Sequence, residues 1–192
     1  IKHVKGVCPE PNARILCFEP NPLNVSAIQQ KIESDSSVTL YEVALSNETT
    51  TANFYNWRGR QANHKGNALA GLRGNGALIC STDVKRLDDV LDAHFKDQEI
   101  VIKFLKVDVE GNDGNVLKGC ERYLDRTEYI VFECSNCLDD CRGPGIAAPM
   151  KDIVDFLSNH GFDTYRIGTK KLFKVNDECW NQKYEDLKFW SN

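Results

Sequence analysis

Apolar and polar positions fall into blocks along the chain, and the period of the pattern changes from block to block. RILCFEPNP (14–22) is a short apolar run ending in Glu19, Pro20 and Pro22, the pattern of a buried parallel strand that turns into a helix. Asn21 or Pro22 starts that helix, and Val25, Ile28 and Ile32 mark its apolar face. SVTLYEVALS (37–46) predicts a second strand, alternating at first, and TANFYNW (51–57) a third. ICSTDVKRLDDVLDAHF (79–95) predicts a strand followed by a helix from near Arg86 or Leu87. EIVIKFLKVDVEG (99–111) is the most apolar block and predicts the central strand. GNDGNVLKGCERYLDR (111–126) predicts a helix with Val116, Leu117, Cys120 and Leu124 on one face, and EYIVFECS (128–135) another buried strand. Met150 to His160 predicts a helix with Ile153, Val154 and Leu157 facing inward, stopped by Gly161. Residues 162–175 predict a hairpin across Gly168-Thr169. The Gly- and Asn-rich stretch from Arg58 to Ala77 has no period and predicts a long surface loop, the kind that forms lids or binding loops.

Strand and helix patterns alternate through most of the chain. This predicts an α/β domain with a mostly parallel sheet and an antiparallel edge hairpin. The length of 192 residues fits a single domain over 1–192. A net charge of −4 gives no electrostatic footprint for nucleic acid. No run of about 18 apolar residues predicts a membrane span. The compartment, cytoplasmic or the lumen of the secretory pathway, and the oligomeric state are left open by composition. The sequons Asn24-Val25-Ser26 and Asn47-Glu48-Thr49 do not decide it.

In a parallel sheet ligands bind beyond the carboxyl ends of the strands. Three acidic strand ends are predicted there: Glu19, Asp108 with Glu110, and Glu133. Each has two readings. Glu19 caps or solvates a turn, or accepts hydrogen bonds from a ribose. Asp108 closes an Asx-turn and Glu110 favours a helix entry, or the two converge on a pocket. Converging carboxylates prepare a general base or hold a hard cation such as Mg²⁺. Among the eight cysteines, Cys134, Cys137 and Cys141 stand in CSNCLDDC. That spacing suits a metal with Cys179 or Cys120 as fourth ligand. No second C-x2-C or His pair supports it, and a disulfide within the loop or to Cys179 is favoured in an oxidising compartment. His64 and the cations Arg58, Arg60 and Arg73 of the long loop are a distant candidate base and an acidic-acceptor site; a solvated loop face is the simpler reading.

ILCFEPNP, VTLYEVALSN, VKRLDDVLD, FLKVDVEGNDGNVLKGCERYL, YIVFE and GFDTYRIG follow one another in an order and spacing that resembles the FkbM family of S-adenosylmethionine-dependent methyltransferases. The resemblance runs from about residue 14 to the end, and FEPNP with LKVDVEGND is its most specific pair. It implies a Rossmann-like class I methyltransferase fold, a three-layer sandwich, acting on a hydroxyl of a sugar, glycan or small metabolite. It implies S-adenosyl-L-methionine as cofactor, with Glu19, Pro20 and Asn21 at the ribose and Val43, Ala44 and Leu45 near the adenine. Asp108 and Glu110 then face the methyl group or the acceptor, as base and second candidate base. No metal is implied.

Two departures accompany the resemblance. Asp113 stands where the family usually has Glu. The family also opens with a strand and a Gly-rich turn resembling D-x-G-A-N-x-G, and nothing before Arg14 fits it. That strand is expected to be central, so the sequence reads as an interior segment of a larger chain. Alternatively it is a non-catalytic, methyltransferase-like structural or interaction module that has lost the cofactor site. An NAD-binding oxidoreductase on the same architecture is a weaker reading, because no G-x-G-x-x-G is present.

Overall fold

The structure, a computed structural model, describes residues 12–56, 70–72, 76–96, 98–109, 111–133 and 149–185. In chain order they form β1 (Ile15–Phe18), α1 (Pro22–Ile32), β2 (Val38–Tyr41), β3 (Ala44–Leu45), β4 (Thr50–Asn56), β5 (Ala70–Gly71) and β6 (Leu78–Lys85). Then follow α2 (Leu87–Phe95), β7 (Leu105–Val107), α3 (Asp113–Lys118), a 3₁₀ segment (Glu121–Arg126) and β8 (Ile130–Phe132). The described chain ends with α4 (Met150–Asn159), β9 (Tyr165–Ile167), β10 (Leu172–Lys174) and two short 3₁₀ turns. The fold is α/β. The polar turn Asn21–Pro22 does start α1 as expected: Asn21 caps it by accepting the Leu23 N–H at 3.1 Å, with Pro22 in the first turn.

The expectation of one mostly parallel sheet is corrected. Among the described residues the strands form four small sheets. β1–β2, β7–β8 and β3–β6 are parallel, while β4–β6, β4–β5 and β9–β10 are antiparallel. Two-stranded pairs have little stability of their own. The β1–β2 and β7–β8 pairs stand because both pack on one apolar cluster that includes Leu87, Leu91, Val107, Val116, Leu117 and Leu157, with Leu16, Phe18, Leu105, Ile130 and Phe132 against it.

Three predicted elements break where the pattern ran on. The strand over 37–46 divides into β2 and β3, which join different sheets. The block 99–111 is not a long central strand. Only Leu105–Val107 is in a ladder, Ile102 makes an isolated bridge to Thr127, and Val101 and Phe104 are 58% and 49% exposed. An apolar run signals burial on both faces, and here Ile100 and Ile102 pack on the cluster while Val101 and Phe104 face outward. The helix over 111–126 ends at Gly119 and resumes as 3₁₀. A Cβ at Gly119 would meet the Ser46 carbonyl oxygen at 2.1 Å, and the Gly119 carbonyl accepts the Asp88 N–H at 2.9 Å. Three backbones therefore meet at this one residue.

Other expectations hold. Gly161, at φ 84°, ends α4: its N–H bonds the Ser158 carbonyl at 2.9 Å and the Phe162 N–H bonds the Leu157 carbonyl at 3.0 Å. That is the Schellman pairing, and Phe162 and Leu157 pack in the same cluster as its hydrophobic partner contact. The hairpin β9–β10 pairs Ile167 with Leu172 and Tyr165 with Lys174. Asp88, its side chain fully buried at the start of α2, is held by Arg86 at 2.7 Å and Arg122 at 3.3 Å, which fastens α2 to the 3₁₀ segment. Cys120 is fully buried between them, and burial pushes its thiol up to about 12. Among the described residues no helix is long and apolar enough to cross a membrane.

The crossing at Gly119 makes a direct prediction. Gly119→Ala forces backbone movement at Ser46 and is expected to destabilise the fold by about 2–4 kcal/mol, read as a lower urea midpoint at unchanged slope. A midpoint equal to that of the unaltered protein would show that the backbones do not meet there.

Candidate active site

The ladder of β1 runs one residue past the strand, the Glu19 N–H donating to the Tyr41 carbonyl at 3.0 Å. Phe18 and Tyr41, opposite each other at the ends of β1 and β2, stack with ring centroids 5.2 Å apart, and the Tyr41 hydroxyl is bonded to His94 of α2. The chain then turns through Glu19, Pro20 and Asn21. The Glu19 carboxylate folds over this turn: Oε1 accepts the Asn21 N–H at 2.8 Å and Oε2 accepts the Asn24 side-chain amide at 3.1 Å. Each oxygen has two lone pairs, so among the described residues one acceptor position remains on each. The Pro20 carbonyl accepts from the Cys80 thiol at 3.5 Å. Burial, then the charge of Glu19, raises the Cys80 thiol above its ordinary value. The β4–β6 ribbon thus meets the FEPNP turn, and Cys80 is a residue of this rim that the sequence pattern did not single out. Its only signal was a cysteine in an alternating strand.

Of the three residues expected near an adenine, Val43 is half-buried and sits at the bend between β2 and β3, while Ala44 and Leu45 are buried. Leu45 packs in the apolar cluster, so its side chain belongs to the core and its backbone faces the rim. The Leu45 carbonyl accepts the Asn112 side-chain amide at 3.0 Å. This bond ties the end of β3 to the start of α3.

Asp108 follows β7 directly. It is exposed and paired with Lys106 at 2.7 Å, an ion pair of little energetic weight at such exposure. Glu110 lies outside the described residues, as do His64, Arg58, Arg60, Arg73, Cys134, Cys137 and Cys141. Glu133 follows β8 and is exposed. Val107 pairs with Phe132, so Asp108 and Glu133 leave the sheet side by side. Between them sits an acid whose role the sequence left open. Asp113 is 2% exposed; its Oδ2 accepts the Gly111 N–H at 3.2 Å and its Oδ1 the Glu133 N–H at 3.3 Å. Burial raises its carboxyl from 3.8 to about 6, against the lowering effect of those amides.

The rim therefore has two parts. One holds Glu19, Pro20, Asn21 and Cys80; the other holds Asp108, Gly111, Asp113 and Glu133, and the Asn112–Leu45 bond ties this second part to the end of β3. Among the described residues no group of three or more His, Cys, Asp and Glu is arranged to hold a metal ion. Among the described residues Cys17, Cys80, Cys120 and Cys179 are free thiols, and the cysteine loop itself lies outside them.

Asp113 sets a pH dependence with a definite sign. Its folded-state value lies above the unfolded one, so its contribution to stability is complete below pH 3.8 and is lost as the pH rises through about 6. The loss is about 3 kcal/mol for a group this buried. Urea unfolding at pH 4 and pH 7.5 should show this difference in the unaltered protein. Asp113→Asn should lack it; an identical difference in the variant would refute the assignment.

A model of the methyltransferase FkbM domain matches residues 10–164. The chain is 24% identical over 139 residues to the 2-O-methyltransferase NoeI of Sinorhizobium fredii, an alignment covering 66% of this chain and 55% of that protein. The chain thus spans about half the length of this curated relative. The crystal structure of the methyltransferase FkbM of Methylobacillus flagellatus KT is similar over 74% of this chain and 34% of that one, with 15% identity and a TM-score of 0.45. The family match runs from ahead of β1 to beyond α4 and takes in both parts of the rim. On that match, the chain belongs to the methyltransferase FkbM domain family.

Proposed function

We propose that this chain is the catalytic part of an S-adenosylmethionine-dependent O-methyltransferase with a Rossmann-like sandwich fold, acting on a hydroxyl of a sugar, glycan or small metabolite. The reading is supported by the match of the methyltransferase FkbM domain to residues 10–164, together with the Asn112–Leu45 hydrogen bond, which ties the end of β3 to the segment that follows β7. The name of the Sinorhizobium relative, a 2-O-methyltransferase, supports a hydroxyl acceptor.

The residues at the rim fit the cofactor in part. Among the described residues Glu19 accepts one hydrogen bond on each oxygen, which leaves a lone pair on each for the two ribose hydroxyls, with Pro20 and Asn21 shaping the turn beneath it. Val43 and the backbone of Ala44 and Leu45 bound the adenine. S-adenosylmethionine, when bound, supplies a methyl group on sulfur that is already electrophilic. Asp108, exposed beyond β7, takes the proton from the acceptor hydroxyl, with Glu110 as the second carboxylate. The protein's main work is to hold the acceptor oxygen in line with the methyl group.

A second reading, a non-catalytic module, draws on one observation: the Glu19 carboxylate is engaged by Asn21 and Asn24 of its own turn, as a helix-entry cap would be. Calorimetry on the full-length protein separates the two. The enzyme reading expects S-adenosylhomocysteine to bind, and Glu19→Gln to weaken it about tenfold through the lost charge-assisted hydrogen bonds. Asp108→Asn should leave that affinity within about threefold but lower methyl transfer to a panel of sugar hydroxyls by about 10²–10⁴. No binding at millimolar ligand would establish the module reading instead.

A further inference from the structure

Asp113 is a buried acid for which the catalytic reading has no use. Its carboxylate joins two segments distant in the chain, one oxygen on the Gly111 N–H and the other on the Glu133 N–H. Both donors belong to backbone that has just left β7 and β8. Gly111 adopts φ 98°, a conformation closed to other L-residues without strain, and this aims its N–H back at Asp113. An ionised group at 2% exposure costs folding free energy, since apolar packing of the same volume would serve the core better. The facing charge, Glu133, adds repulsion. The arrangement therefore works against stability while fixing two backbone segments at the rim. Asn112, the preceding residue, fastens the same corner to Leu45.

We propose that Asp113 is a positioning residue of the methyl-transfer site: its carboxylate locks Gly111, beyond β7, to the end of β8 and so sets where the methionine half of the cofactor and the acceptor meet Asp108. This rests on the methyltransferase reading above. The adenosine half, bounded by Glu19 and residues 43–45, meets this corner through the Asn112–Leu45 bond, in which neither oxygen of Asp113 takes part.

Calorimetry on the full-length protein with two probes, S-adenosylhomocysteine and adenosine, tests it. Asp113→Asn keeps the side-chain volume and removes the charge and one acceptor. It is expected to weaken S-adenosylhomocysteine about tenfold and leave adenosine unchanged, which also certifies the fold. Gly111→Ala disturbs the same lock from its other end and should give the same selective loss. Equal weakening of both probes in both variants would mean a merely structural acid, and unchanged affinity for both would mean no lock; either overturns the proposal. Failure of the unaltered protein to bind S-adenosylhomocysteine overturns the methyltransferase reading, and this inference with it. Binding by the unaltered protein together with either of the first two results overturns this inference alone.

Discussion

The way α3 meets β3 and α2 depends on one buried polar crossing. The Leu45 carbonyl receives the Asn112 amide, the Ser46 carbonyl lies against the bare Cα of Gly119, and the Gly119 carbonyl receives the Asp88 N–H. Asn112, Leu45 and Asp88 are all buried. Backbone groups in such surroundings must find partners or carry their full desolvation cost. Here each partner comes from a different element: β3, α3 and the start of α2. The apolar cluster supplies the driving force, but it is indifferent to direction. The crossing is what sets how α3 lies on the end of β3, and with it where the chain emerges after β7.

That division of labour explains what could be read from the chain itself. Elements carried by a local rule were legible. Asn21 and Pro22 announce α1 because capping needs only neighbours, and Gly161 announces the end of α4 because the Schellman pairing closes within six residues. FEPNP and DVEGND were legible as strand ends for the same reason. The boundaries set by distant contacts were not. Nothing near Gly119 says that Ser46 will press on it, so the helix predicted over 111–126 ran through the break. Nothing in EIVIKFLKV says that Val101 and Phe104 will lie exposed, because an apolar run is the same whether or not a neighbour arrives.

The candidate site divides along the same line. Glu19 and Asp108 were identified by their place after apolar runs, and they follow β1 and β7. Asp113 and Cys80 were not, since each acquires its character from a partner remote in sequence: Glu133 for the one, Pro20 for the other. The family match over 10–164 bears on the whole of this region, whereas the roles of individual side chains follow from chemistry at the rim. A buried carboxylate at the corner between two strand ends trades stability for geometry, and that trade is common where backbone must be held still for a reaction.

Cys120 lends this architecture a practical use. It sits at zero exposure between α3 and the 3₁₀ segment, with its thiol shifted to about 12, whereas Cys179 is free at the surface. Alkylating reagents attack thiolate and need access. In the closed molecule Cys120 offers them neither, so its labelling clocks the rate at which the very centre opens. The protein thus contains, without any engineering, a chemical sentinel beside the corner that holds its rim in place.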